Sequence, residues 1–153
     1  MDVDMLERQE KTVYGLFQKS NQKTQAKDIP ALSKRFHEIL GKPSGAVLPF
    51  YVLSRGFDPE TENFELFIGG EMPHPSLSDM VLPAGPYARV LVRPKLGFLW
   101  GPAIGEAKRY IYVDWIESSG YTPKRIEFEY HTEAGVGKKP SIEIYFALSS
   151  SAR

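Results

Sequence analysis

The feature that most constrains this chain is an order of elements that its sequence predicts twice. A β-branched and aromatic run at 12–17 predicts a strand. Apolar residues at helical spacing follow at 32–40, with Asp28 expected as the N-cap of that helix and Gly41 as the residue that ends it. Two apolar runs then flank the turn-forming segment 58–62 and predict a hairpin. The first half therefore has the order strand, helix, strand, strand.

The second half repeats this order. A strand is predicted at 86–92, and apolar residues at helical spacing follow at 104–115, before Gly120 ends the helix. Two strands are predicted at 125–131 and 141–148, joined by a glycine-containing loop. Two β-α-β-β units predict an α+β fold, in which an antiparallel sheet packs against two helices.

Length and charge limit the classes of protein to which the chain can belong. Its 153 residues fit one domain, 1–153, with halves of about 1–78 and 79–153. It has 19 basic and 19 acidic residues, and nucleic-acid binders usually carry a basic excess, so direct nucleic-acid binding is not expected. It has no cysteine, no signal peptide and no apolar run long enough to cross a membrane. These observations predict a cytoplasmic protein that does not bind membranes.

The last predicted strand carries the main candidate site. Glu143 and Tyr145 lie on one of its faces, and its large aliphatic residues lie on the other, because strand side chains alternate. In the preceding strand, Glu129 is expected beside Tyr145 if the two strands pair antiparallel. Phe67 is a further candidate in the first half. Carboxylates among aromatic rings suit a cationic amphipathic ligand, although an acid on such a face is often only solvated surface.

Other motifs give weaker signals. Trp100 is either a pocket wall or a core residue, and the core is favoured. The three histidines lack the spacing of metal ligands, so no metal site is expected, and no cofactor is expected either. The segment 135–139 lacks the glycine and hydroxyl positions of a phosphate-binding loop and is interpreted as a hairpin loop.

Six segments in the same order resemble those of the GyrI-like family, which is also described as the AraC-type effector-binding domain. The segments are VYGL (13–16), IPAL (29–32), IGGEM (68–72), LPAGPY (82–87), WIESSGY (115–121) and IEIYF (142–146). The resemblance implies a duplicated β-α-β-β domain with a concave ligand groove. It also implies that Glu143 is the groove acid that meets a cationic ligand, with Tyr145 as its aromatic partner and Glu129 as a second acid.

Three functions follow from this resemblance. The favoured one is a small-molecule sensor or sequestering module for amphipathic, cationic compounds, linked to transcription through a partner regulator and acting as a monomer or homodimer. The alternative is a hydrolase that opens strained cyclopropane rings, in which Glu143 is the catalytic acid or base and Trp100 or Tyr145 stacks on the ligand. The third is a protein-interaction module similar to the gyrase inhibitors of the family.

Overall fold

Eight strands pair in one antiparallel sheet in the computed structural model, which describes residues 1–150. The strands are β1 (Asp4–Arg8), β2 (Lys11–Asn21), β3 (Phe50–Arg55), β4 (Asn63–Gly70), β5 (Ser78–Leu82), β6 (Gly85–Val92), β7 (Tyr121–His131) and β8 (Ile142–Ser150). Helix α1 (Gln25–Leu40) follows β2. Helix α2 (Trp100–Arg109) follows β6 and continues through a π-helical turn (Tyr110–Trp115) into α3 (Ile116–Ser119). The predicted α+β fold with an antiparallel sheet is confirmed.

The strand order is pseudo-symmetric about the centre of the sheet. From either end, a short outer strand is followed by the first, third and second strands of one β-α-β-β unit. It runs β1-β6-β8-β7-β3-β4-β2-β5, so that β3 and β7 meet at the centre. The two outer strands exchange places: β1 precedes β2 in the chain but pairs with β6, and β5 precedes β6 but pairs with β2. Neither outer strand was predictable from the sequence pattern, because each is only five residues long and partly polar. The division at 78/79 stays a prediction, and residues 151–153 of the predicted second half lie outside the described part.

The helix ends follow local chemistry, with one correction. Helix α1 begins at Gln25 after Thr24, so the prediction of Asp28 as the N-cap was wrong. Asp28 lies in the first turn and accepts hydrogen bonds from the hydroxyls of Ser20 (2.7 Å) and Thr24 (2.8 Å), which lower the pKa of its carboxyl. The predicted helix end at Gly41 is confirmed, since this residue has a left-handed φ of 67°.

Both faces of the sheet contribute to the core. On one face, α1 packs mainly over β2 and β4, and α2 packs over β6, which leaves the central strands β3 and β7 between the two helices. No helix among residues 1–150 covers the opposite face, here called the open face. Its side chains nevertheless form a buried cluster that includes Val13, Tyr51, Phe67 and Tyr145. No helix among residues 1–150 is long and apolar enough to cross a membrane.

Strands β2 and β4 approach each other closely where two glycines are paired. Gly15 lies opposite Gly69 in the register. A Cβ atom on Gly15 would lie 1.9 Å from the carbonyl oxygen of Ile68, and one on Gly69 would lie 2.7 Å from the ring of Phe67. Gly69 therefore leaves room for the Phe67 ring, as a glycine inside a strand does where another group approaches closely.

Candidate functional site

Five aromatic side chains gather on the open face and form what we call the aromatic box. They come from four neighbouring strands and are Tyr51, Tyr87, Phe128, Tyr130 and Tyr145. Phe128 and Tyr145 lie directly opposite each other in the register of β7 and β8, and their rings stack with centroids 5.0 Å apart. Tyr51 and Tyr87 approach the Phe128 ring at 5.6 and 6.1 Å. The box thus presents several ring faces to one point.

That point is occupied by the side chain of Arg8, the last residue of β1. Its guanidinium carbon lies 4.5 Å from the ring centroid of Tyr145, 5.5 Å from that of Phe128 and 5.8 Å from that of Tyr87. Within residues 1–150, Arg8 has no carboxylate partner at ion-pair distance. The aromatic box therefore holds a cation of the protein itself.

Polar groups surround the box at two positions. At the first, Glu71 accepts a hydrogen bond of 2.6 Å from the hydroxyl of Tyr51 and forms a 3.1 Å ion pair with Lys11. Burial acts to raise the pKa of Glu71, but the hydrogen bonds from Tyr51 and Lys11, together with the charges of Lys11 and Arg8, outweigh it, so the pKa is lowered. Glu71 therefore stays ionised beside the rings.

The second polar position contains the predicted acid. The hydroxyl of Tyr145 donates a hydrogen bond of 3.0 Å to Glu143, whose other oxygen lies 3.5 Å from the guanidinium of Arg89. Asp4 also pairs with Arg89, at 3.0 Å. Glu143 and Tyr145 therefore lie together on the open face. The charge of Glu143 is partly neutralised by a neighbour that the sequence analysis did not identify, and its role in ligand binding stays a prediction.

The predicted position of Glu129 beside Tyr145 was wrong. The residue opposite Tyr145 is Phe128, so Glu129 points to the helix side of the sheet. There it is 9% exposed, and its Oε1 lies 2.9 Å from Nε2 of His131. The apolar residues of β7 face the box, because β7 lies between the two helices, where polar side chains can be accommodated.

The other two predicted residues lie apart from the Tyr145 ring. Trp100 begins α2 and packs, partly buried, against the apolar cluster on the helix side, which agrees with the core interpretation. Phe67 is fully buried on the open face, with its ring 4.8 Å from that of Phe17. The structure thus brings Glu143 and Tyr145 together, places Phe67 on the same face and leaves Glu129 and Trp100 on the other side of the sheet.

A cleft of about 770 Å³ lies on the helix side, lined in part by α2, the π-helical turn and β7. Lys108 of α2 and Glu127 of β7 form a 3.0 Å ion pair at this cleft, with side chains 26% and 13% exposed. Burial, together with the charge of Glu127 and a hydrogen bond to it, raises the pKa of Tyr112. This arrangement holds a carboxylate inside the molecule with two neighbouring donors.

Four of the eight tyrosines are expected to ionise only at unusually high pH. Burial is the largest cause that raises the pKa of Tyr51, Tyr87, Tyr112 and Tyr145, and it raises that of Tyr87 to about 12. A raised pKa in the folded state means that the unfolded chain loses these protons first. Stability should therefore fall as the pH rises above about 10.

Ultraviolet difference spectra of the phenolates, recorded with circular dichroism over the same alkaline range, would check this expectation. A late phase of phenolate formation should accompany the loss of structure, and it should be smaller in Tyr145→Phe. Complete ionisation near pH 10 with the fold intact would contradict it.

The family model of integron-associated effector binding proteins, Cass2, matches residues 6–148. The structure of SAV2435 bound to tetraphenylphosphonium is 13% identical with a TM-score of 0.70, and the match covers 97% of this chain and 94% of that one. The integron cassette protein VCH_CASS2 of Vibrio cholerae is 14% identical with a TM-score of 0.69, at 96% and 95% coverage.

A transcription complex also contains the fold. In the cryo-EM structure of the EcmrR–DNA complex, EcmrR is 16% identical to this chain with a TM-score of 0.63, and the match covers 98% of this chain and 58% of EcmrR. No curated protein sequence matches the chain. At these identities the structural likenesses show the fold.

Proposed function

Because the chain belongs to the family of integron-associated effector binding proteins, which confirms the GyrI-like resemblance, we propose that its aromatic box binds amphipathic organic cations. An effector-binding domain binds small molecules, and the specific proposal concerns the ligand class and the place where it binds. The observation that carries the proposal is that the box holds the guanidinium of Arg8 against three rings. Rings arranged around one cation provide the same electrostatic attraction to another.

The acids around the box support the same ligand class. Glu71 is held ionised beside Tyr51, and Glu143 lies next to the hydroxyl of Tyr145. A cation that enters among the rings gains their quadrupole attraction and the field of these carboxylates, while its apolar surface leaves water. The bound tetraphenylphosphonium in SAV2435, which has the same fold, makes this cation a suitable first probe.

Substitution of Glu143 by glutamine is expected to weaken binding of tetraphenylphosphonium about threefold to tenfold. The effect should be modest, because Arg89 already pairs with this carboxylate at 3.5 Å and solvent screens the site. Isothermal titration calorimetry of the parent and of Glu143→Gln at constant salt would measure the change.

Glu129→Gln provides the matched control, since Glu129 lies on the helix side of the sheet. Its affinity should equal that of the parent, provided that circular dichroism shows a folded protein. Equal affinity of Glu143→Gln and the parent would remove Glu143 from the site. A parent that shows no heat and no thermal stabilisation with the probe would overturn the proposed function itself.

We also propose that ligand binding is communicated to transcription through a partner protein. The match to EcmrR, solved in a complex with DNA, supports a regulatory setting, and the balance of 19 acids and 19 bases does not favour direct phosphate contacts by this chain. Mass spectrometry of a cyclopropane-containing compound recovered after long incubation with the protein would distinguish simple binding from hydrolysis.

A further inference from the structure

We propose that Arg8 is a resident competitor in the aromatic box, so that the protein accepts only cations that cover more ring surface than one guanidinium does. This inference rests on the proposed function and adds to it the size of cation that the box accepts and the residue that sets this limit. Small ammonium and guanidinium ions would be rejected, whereas large cations whose charge is surrounded by aromatic or apolar groups would be accepted.

The guanidinium of Arg8 contacts the rings of the box as a bound organic cation would. Its guanidinium lies near three rings, which is the mode in which a planar, weakly hydrated cation stacks on aromatic faces. Arg89, on the neighbouring strand and the same face, is held in a different way, since it pairs with Asp4 and Glu143. No carboxylate within residues 1–150 lies at ion-pair distance from Arg8, so the rings supply its close contacts, and the charge of Glu71 attracts it over a longer distance.

The anchoring of β1 makes release of Arg8 possible without loss of the strand. Leu6 packs against the buried cluster of the open face, and Asp4 is tied to Arg89 at 3.0 Å. The backbone of Arg8 remains paired with Gly85 at the end of β1. Movement of the side chain about its own bonds is therefore sufficient to empty the box, because the strand is held elsewhere.

A tethered cation competes more strongly than the same cation free in solution. Its effective concentration is set by a short side chain and is of millimolar order or higher. The measured affinity of any ligand for the box equals its affinity for the empty box multiplied by the fraction of molecules in which the box is empty. A ligand that offers only one charged group gains little over Arg8, whereas one that contacts four or five rings and excludes water gains enough to displace it.

The test compares the parent with Arg8→Met, which keeps a long apolar side chain and removes the charge. Calorimetric titration with tetraphenylphosphonium should show about tenfold tighter binding by Arg8→Met. Binding of tetramethylammonium should be detectable in Arg8→Met and absent in the parent. Arg109→Met serves as the control, because Arg109 is exposed on α2, on the helix side of the sheet.

A second readout does not depend on how well methionine fits. In Arg8→Ala, guanidinium chloride at low millimolar concentration should weaken tetraphenylphosphonium binding, whereas sodium chloride at the same concentration should not. The parent should respond equally to both salts. Circular dichroism and the melting temperature without ligand would show that each variant is folded.

The possible failures are distinguishable. If the parent binds tetraphenylphosphonium and Arg8→Met binds it equally or more weakly, and Arg8→Ala shows no competition by guanidinium, the role of Arg8 is overturned while the proposed function stands. If the parent shows neither heat nor thermal stabilisation with the probe, the proposed function is overturned, and the role of Arg8 with it.

Discussion

Replacement of Gly15 by alanine is expected to destabilise the protein by about 3 kcal/mol or more, because the new methyl group has no space. Its Cβ would lie 1.9 Å from the carbonyl oxygen of Ile68 and 2.6 Å from the Cα of Gly69, both backbone atoms of β4. These atoms cannot rotate away as a flexible side chain would, so β2 and β4 must separate where they are paired. A fall of about 10 °C in melting temperature would correspond to this loss in a domain of this size.

Gly105→Ala is the matched control for this prediction. Gly105 lies inside α2, and a Cβ there would have no atom within 4 Å. Alanine should therefore stabilise the helix by about 0.5–1 kcal/mol, since glycine loses more conformational freedom on folding. Urea denaturation of both variants would measure the two effects. A Gly15→Ala protein as stable as the parent would show that the two strands do not approach as closely as described.

Replacement of Lys108 by methionine is the second substitution with a large expected effect, a loss of about 3 kcal/mol. Methionine fills a similar volume, so the loss comes from charge. The carboxylate of Glu127 is 13% exposed and lies 3.0 Å from the ammonium of Lys108. Without that partner, a mostly buried negative charge would remain with the Tyr112 hydroxyl as its neighbour.

A double-mutant cycle would separate this cause from altered packing. Lys108→Met combined with Glu127→Gln removes both charges and retains an oxygen that accepts from Tyr112, so it should recover most of the lost stability. Urea denaturation of the parent, both single variants and the double variant would supply the cycle. If the double variant is as unstable as Lys108→Met, the loss comes from packing of the lysine stem, and the ion pair is of minor importance.

The repeated fold was predictable from the sequence because its long elements carry strong periodic signals. The apolar positions of α1 and the alternation in β8 are local patterns, and helix-ending residues such as Gly41 act through their own backbone conformation. The short outer strands were not predictable in the same way. A five-residue segment such as Asp4–Arg8 is a strand only because β6 offers it a free edge, and that edge is formed by residues about 80 positions away.

The site was predictable to a smaller extent for a related reason. Alternation showed that Glu143 and Tyr145 share a face, but it does not show which residues of the neighbouring strand lie on that face. The pairing of Phe128 with Tyr145 decides that question, and it placed Glu129 on the opposite side. Tyr51 and Arg8 were missed because each reaches the box only through long-range strand pairing. In the sequence, Tyr51 does not differ from any other aromatic residue of a strand, and Arg8 does not differ from any other surface arginine.

The exchange of β1 and β5 has a consequence for the integrity of the sheet. The first strand of each predicted half pairs with the other half, so each outer edge of the sheet is formed by a strand from the opposite part of the chain. Displacement of one outer strand would therefore expose the sheet edge of the half to which that strand does not belong. Arg8 lies on such a strand, and the rings of Tyr87, Phe128 and Tyr145 that it contacts belong to the second half, so the aromatic box is completed only when the two halves are paired.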